Sequence, residues 1–593
     1  MALRIEDYAM IGDCHTAALV GNDGSIDWLC LPRFDSASTF GALLGTEDHG
    51  RWLIAPTGEA SNTRRYIEDT FILVTTWTTP GGVVEVTDVM PHGDRRADVL
   101  RSIRGISGSV QLHVDLRIRF GYADALPWIR QVAEKRGHAL VAIAGPDALV
   151  VRGPALTADH ESHIADFVVT AGEKVEFALS WYPSHLEPPT PPDVEKGISA
   201  TTKWWQDWAA ACTASPEYHD AVHRSLLVLR ALTHEDTGGI VAAATTSLPE
   251  KFGGQRNWDY RYVWLRDASL TLNVLLDHGF VSEADPWRNW LLRAIAGDPA
   301  DVQIMYGLSG ERRLEEWVIG SLPGYEGAGP VRGGNGAYTQ FQGDVFGEVM
   351  LALQAARRVG VAEPDFSWPV QRALMSYVED NWKRPDNGIW EIRGSKKHFT
   401  HSRVMLWAAF DCAVRAVQDF GLDGPVARWE SIRDEIRGEI EAHGFHRDRN
   451  TYTQSYGGSE VDSSLLQLAQ VGYIDPEDPR MLGTVAAIEA ELLHAGLLLR
   501  YRTQSGVDGL PAGENPFLAC SFWLVEQYAR SGRLPEARTL MDRLVGFAND
   551  VGLLSEEYDV ANGRQAGNTP QALTHLALVR AADAIAASGA TAT

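Results

Sequence analysis

Glu187-Pro-Pro-Thr-Pro-Pro-Asp193 divides this 593-residue chain into two textures. Four prolines in seven residues supply no ladder donors and break any helix, so the stretch reads as a linker. Ahead of it, from about residue 51 to 182, apolar residues alternate or run β-branched, as in Phe71-Ile-Leu-Val-Thr-Thr-Trp77, Val84-Glu-Val-Thr-Asp-Val89, Val110-Gln-Leu-His-Val-Asp-Leu116 and Val175-Glu-Phe-Ala-Leu-Ser-Trp181. Turn residues such as Pro80-Gly-Gly82 and Gly145-Pro-Asp147 separate these runs, which is the pattern of an antiparallel β-sandwich.

Behind the linker the period changes. Residues 194–211, with Trp204, Trp205 and Trp208, read as a connecting helix, and from 218–235 onward the apolar stripe recurs every 3.6 residues. Further helices are expected over 266–279, 282–296, 344–359, 368–382, 398–420, 426–442, 462–471, 480–494, 515–530, 534–548 and 569–587. About a dozen helices without a 34- or 40-residue repeat argue against a solenoid. The long connection 297–343 points instead to a closed ring of six inner and six outer helices with a loop-lined site at one end. The expected organisation is multidomain β + α, with a sandwich over 1–192, a helical linker over 193–215 and a helical barrel over 216–593.

Composition narrows the function. Lys and Arg total 53 against 78 Asp and Glu, a net charge of −25, and no basic patch interleaves with aromatics, which excludes a nucleic-acid partner. No stretch approaches the length of a membrane span, and residues 1–13 carry charges without an apolar signal core, so the expected compartment is the cytoplasm. Cys14, Cys30, Cys212, Cys412 and Cys520 form no CxxC pair, which suggests neither a disulfide framework nor a zinc knuckle. His160/His163 and His398/His401 lack a metal-binding carboxylate pattern, and Gly333-Gly-Asn-Gly336 lacks the features of a phosphate loop.

Three stretches carry chemistry. Arg256-Asn-Trp-Asp-Tyr-Arg-Tyr-Val-Trp-Leu-Arg-Asp267 mixes arginines, carboxylates and aromatics just before a helix. Aromatic faces suit the C–H face of a sugar, and Arg/Asp pairs suit adjacent hydroxyls; a plain ion pair at a helix start is the simpler alternative. Gly388-Ile-Trp-Glu-Ile-Arg-Gly394 sets Glu391 beside Trp390, where desolvation would raise its pKa as a general acid requires, unless Glu391 is exposed and paired with Arg393. Gly552-Leu-Leu-Ser-Glu-Glu-Tyr-Asp559 offers a base, with Ser555 and Tyr558 as donors that would keep a carboxylate ionised; a solvated acidic turn is the alternative.

Taken in order, Tyr262-Val-Trp-Leu-Arg-Asp267, Gly388-Ile-Trp-Glu391, Asn515-Pro-Phe-Leu-Ala-Cys520 and Leu554-Ser-Glu-Glu-Tyr-Asp559 resemble glycoside hydrolase family fifteen, which includes glucoamylases, glucodextranases and trehalases. The opening Asp7-Tyr-Ala-Met-Ile-Gly-Asp-Cys-His-Thr-Ala-Ala-Leu-Val20 and Asp23-Gly-Ser-Ile-Asp-Trp-Leu-Cys-Leu-Pro-Arg-Phe-Asp35 resembles the amino-terminal module of its bacterial trehalase-like branch. The resemblance implies a β-sandwich, a helical linker and an (α/α)6 barrel with an inverting mechanism on α-glucosides. It implies Glu391 as general acid and Glu556 as general base, and Arg266 with Asp267 as ligands of the terminal glucose, walled by Trp264 and Trp390. Tyr262 and Trp258 complete the expected substrate contacts, with Arg502 as the arginine near the Asn-Pro-Phe motif.

Fungal members carry a second acid where this chain has Ile392, so the site beyond the first sugar should differ. The expected activity is release of glucose from a small α-glucoside, trehalose first, with malto- or isomalto-oligosaccharides as the alternative. An inverting disaccharide phosphorylase and an inactive sugar-binding protein are more distant readings. No cofactor is required by the two-carboxyl chemistry, no metal ligand is assigned, and dependence on phosphate or Mg2+ and assembly into a homo-oligomer are left open. Loop 308–343, with Arg312, Arg313, Glu315, Glu316 and Trp317, is the candidate cap that selects the leaving group.

Overall fold

The computed structural model describes residues 2–591 apart from 94–95, 135–136, 214–216, 507, 510 and 512. The expected start of the barrel at 216 therefore lies outside the described residues. Antiparallel strands from Tyr8 to Pro183 fold into two layers that share one long strand, Asp98–Arg117. Its first half pairs with Gly82–Val89 and Lys174–Pro183, its second half with Arg51–Pro56 and Ser162–Thr170. The change of layer falls at Gly108, where φ is +63° and an added Cβ would come within 2.1 Å of the Gly81 carbonyl oxygen. Trp52 of one layer meets Phe177 of the other edge to face at 6.2 Å, fixing the two layers against each other.

Strands also occupy the first 40 residues, ahead of the texture read from residue 51: Tyr8–Gly12, Ala17–Gly21, Ser25–Cys30 and Ser38–Phe40. Every residue in these strands is buried, so their sequences do not alternate.

Helix α1, Val194–Ala209, starts at Asp193, whose carboxylate caps the Lys196 amide, and leads towards the helical half. There α2 (His219–Ala231), α3 (Leu265–Asp277), α4 (Ala284–Ile295), α5 (Asp344–Arg358), α6 (Ser367–Asn381), α7 (Thr400–Phe420), α8 (Val426–His443), α9 (Gln467–Gln470), α10 (Pro479–Leu492), α11 (Leu518–Arg530), α12 (Leu534–Val545) and α13 (Ala572–Thr591) follow. The odd-numbered members from α3 onward pack in sequence and close from α13 back to α3, while the even-numbered ones lie outside them. This is the expected double ring. One inner member departs from the expected form: over 462–471 the chain makes a 3₁₀ turn, Ser463–Leu466, and then only the four residues of α9.

The segments that precede the inner helices gather at one end of the ring: 250–264 before α3, 335–343 before α5, 386–393 before α7, 500–517 before α11 and 555–571 before α13. The sandwich braces the first of them. Trp28 donates its indole N–H to Ala244 O at 3.0 Å. Arg261, fully buried, forks onto Asp259 at 2.8 and 2.7 Å and donates to Ser36 O and Tyr122 Oη, each at 2.8 Å. A buried ion pair is tolerable only when its hydrogen bonds are met, as they are here.

Candidate active site

A cavity opens among these segments. From the 256–264 stretch, Trp258, Tyr260 and Trp264 face it, while Asp259 and Arg261 turn to the sandwich. The period-2 alternation of an extended chain thus divides the motif between site and scaffold. At Tyr262 the chain bends, and this side chain is a correction to the expected set: it lies on the Asp259, Arg261 and Tyr122 side and is not part of the cavity wall.

Arg266 and Asp267 sit together at the start of α3. Arg266 Nε donates to Asp267 Oδ1 at 2.8 Å and Nη1 to Ile389 O at 2.9 Å, tying the pair to the loop of Glu391. Both line the cavity, joined by Ile389, Trp390 and Glu391. Glu391 adopts φ +56°, a conformation that costs a non-glycine residue energy and recurs at functional sites. The loop is held open in that shape by Gln340, which donates to Glu391 O at 3.0 Å, and by Asn387, which donates to Ile392 O at 2.8 Å.

The indole that governs Glu391 is not its neighbour in sequence. Trp264 Nε1 donates to Glu391 Oε1 at 2.6 Å, whereas Trp390 Nε1 turns away to Asp462 at 3.0 Å and its ring packs among Tyr501, Phe517 and Trp523. Burial raises the Glu391 pKa, with Arg266 and the Trp264 hydrogen bond opposing.

On the other side of the cavity Glu556 accepts a 2.5 Å hydrogen bond from Tyr260 Oη. The carboxyl stands behind Tyr260 rather than among the cavity-lining side chains, packed so closely on Gly567 that a Cβ there would meet Oε2 at 2.6 Å. Oε2 is buried without a hydrogen-bond partner. Burial pushes the Glu556 pKa up to about 8, helped by the nearby Glu250 charge and opposed by Arg500 and Tyr260. The expected donors are corrected: Ser555 Oγ donates to Glu557 O, and Tyr558 stacks on Phe547 with centroids 3.9 Å apart.

Arg502 is a second correction. Its side chain is 44% exposed and pairs with Glu491 and Glu460 outside the cavity. Arg500 takes the cavity position, donating from Nη2 to Glu250 at 2.8 Å and Glu514 at 2.7 Å, with Glu557 3.5 Å away. The apolar run Leu497-Leu-Leu499 before Arg500 was the available signal; the polar Thr503-Gln-Ser-Gly506 after Arg502 marks the chain's return to solvent. Arg256, Glu250 and Tyr501 were also absent from the expected contacts, and all line the cavity.

Glu250, Glu514 and Glu557 offer carboxylate oxygens within 4.8 Å of one another, a spacing that could hold a cation. Here Arg500 already supplies the positive charge at hydrogen-bond distance, with Arg256 Nη1 3.7 Å from Glu514. A second grouping of Cys14, His92 and Glu235 lies apart from the cavity. No described helix is long and apolar enough to cross a membrane.

The order of the pieces decides the family: a trehalase-like amino-terminal model matches residues 1–204, and the model for glycosyl hydrolases family 15 matches 216–583. The chain belongs to glycosyl hydrolases family 15. This family 15 chain is 36% identical to a trehalase of Mycobacterium tuberculosis over 97% of its own length and 89% of the relative's. It is 34% identical to a trehalase of Thermoplasma volcanium, covering 98% and 93% of the two chains. The crystal structure of a bacterial glucoamylase complexed with acarbose superposes with a TM-score of 0.75 at 13% identity, covering 98% and 94%, and shares the sandwich-plus-barrel fold. The family 15 chain is thus a glycoside hydrolase, with the (α/α)6 barrel as its helical half.

Proposed function

We propose that this chain is an inverting α,α-trehalase in which Glu391 protonates the glycosidic oxygen and Glu556 deprotonates the attacking water. The observation that carries the substrate is the near-complete match, sandwich included, to relatives named trehalase. The roles follow from the family motifs that the two carboxyls occupy. Glu391 is half-buried on the cavity wall, raised in pKa by desolvation and aimed by Trp264, which suits a proton donor. Glu556 is held by Tyr260, whose ring lines the cavity opposite Glu391. Trp264 and Tyr260, which hold the two carboxyls, have ring centroids 5.5 Å apart, so one segment sets the spacing of acid and base. Inversion needs a gap wide enough for a water molecule between the carboxyl on one face of the sugar and that on the other.

Arg266 and Asp267 grip the hydroxyls of the attacked glucose at the closed end. This two-carboxyl hydrolysis draws on no cofactor. A reducing compartment such as the cytoplasm suits five unpaired cysteines.

Glucose release from trehalose, maltose, isomaltose and maltotetraose, followed by anomer-resolved NMR, tests the reading. Trehalose cleaved in preference, with β-glucose appearing from the attacked ring, is the expected result. Preference for the other sugars would remove the trehalase assignment, and α-glucose as the first product from that ring would remove inversion.

A further inference from the structure

One cavity arginine has been given no contact with substrate, although its charge lowers the Glu391 pKa. Arg393 lines the cavity two residues beyond Glu391, and Ile392 between them turns into an apolar cluster with Phe399 and Tyr501. Its side chain is 34% exposed, against 13% for Arg266, 10% for Arg500 and 6% for Arg256, so of these cavity arginines it stands nearest the solvent. A general acid delivers its proton to the oxygen of the departing sugar. A cation on the same loop, further towards the mouth, therefore lies on the departing sugar's side of the scissile bond.

Arg393 is also held in place. Its Nη2 donates to Glu316 Oε2 at 2.9 Å, an oxygen that also accepts from the Gly336 amide at 3.1 Å, while Arg332 Nε sits 3.2 Å from Oε1. The guanidinium carbons of Arg393 and Arg332 lie 4.3 and 4.6 Å from the centroid of the Trp258 ring. An indole faced by two cations braces them rather than stacking a sugar on that surface. Nε and Nη1 of Arg393 donate to no protein acceptor among the described residues. Glu316 and Arg332 both come from loop 308–343; its other charged residues point elsewhere, Arg312 to the carbonyls of Ala294, Ala296 and Asp301, and Arg313 to Glu315.

Resting on the trehalase reading, we propose that Arg393, fixed by Glu316 and braced on Trp258, is the binding site for the departing glucose and reads two adjacent hydroxyls with its free N–H groups. The planar fork suits a vicinal diol in a way that a point charge does not. The acid loop and the long loop then form the leaving-group site together, and a change in either alters which second sugar is accepted.

The test compares kcat/KM for trehalose with kcat/KM for α-D-glucopyranosyl fluoride, whose leaving group contains no sugar. In Arg393→Ala the trehalose-to-fluoride ratio should fall about tenfold to a hundredfold, the range for losing hydrogen bonds to a charged donor. Arg393→Lys should recover part of it, and Glu316→Gln should lower it less, mainly through KM. Fluoride turnover doubles as the check that each variant is folded. An unchanged ratio, or equal losses on both substrates, would overturn the inference. If the wild type cleaves the fluoride and another disaccharide but not trehalose, the trehalase reading fails instead, and the ratio measured with that disaccharide still decides the role of Arg393.

Discussion

Glu556 is buried and Glu391 half-buried, and the two walls that hold them are built differently. Glu391 has an aromatic donor, Trp264, and a nearby cation, Arg266, which keeps its acidity a matter of desolvation balanced by few charges. Glu556 lies in a crowd. Glu250, Glu514 and Glu557 surround Arg500, with Arg256 behind, and the charges of Glu250 and Arg500 act on Glu556 in opposite directions. Solvent exclusion is the largest influence on both carboxyls, and the base wall adds to it the opposed charges of Glu250 and Arg500. That difference predicts which substitutions shift pH dependence and which only remove activity.

The sharpest break is removal of either carboxyl. Glu391→Gln and Glu556→Gln should each reduce kcat on trehalose by about 10²–10⁴-fold with unchanged circular dichroism, since acid–base assistance is of that size. Wild-type-like turnover in either would reject that residue's role. Next comes Arg500→Met, which leaves the carboxyls of the base wall without their central cation. A loss of about 3–5 kcal/mol in urea unfolding is expected, as for breaking a buried pair on one side. No comparable loss should follow at Arg502.

Smaller effects separate the walls through pH. Burial and Glu250 raise the Glu556 pKa, and Tyr260 lowers it. The acidic limb of the kcat/KM profile reports the group that must be ionised. Tyr260→Phe removes a lowering contact, so the limb should move to higher pH, with kcat down about tenfold for one charge-assisted hydrogen bond. Glu250→Gln removes a raising charge, so the same limb should move to lower pH. Shifts in the same direction for both variants would show that the limb does not belong to Glu556. Smallest of all, Arg502→Ala should change stability by less than about 0.5 kcal/mol and leave kcat/KM untouched, as expected for an exposed pair.

Much of this was legible in the chain. The proline linker and the change of period from 2 to 3.6 give the two halves, because burial on one face leaves a repeat that can be read without coordinates. The strands Tyr8–Gly12 and Ala17–Gly21 carried no such repeat, since sandwich and barrel cover both of their faces. Trp264 rather than Trp390 holds Glu391 because two loops 127 residues apart in sequence meet at the end of the helical ring. Arg500 and Arg502 both follow the short strand Leu497–Leu498, one buried and one exposed, and nothing in their identity records which is which.

The sequence by itself determined the order of the modules and pointed to the two candidate carboxyls and the Arg266–Asp267 pair, because each rests on local pattern or short motif. Only the tertiary structure decided what surrounds them: that Tyr260 holds Glu556, that Arg500 neutralises a carboxylate cluster drawn from residues 250 to 557, and that Glu316 fixes Arg393 at the mouth. Hydrogen bonds and desolvation act over a few ångströms in space, and the closure of the helical ring is what brings those distant positions into range.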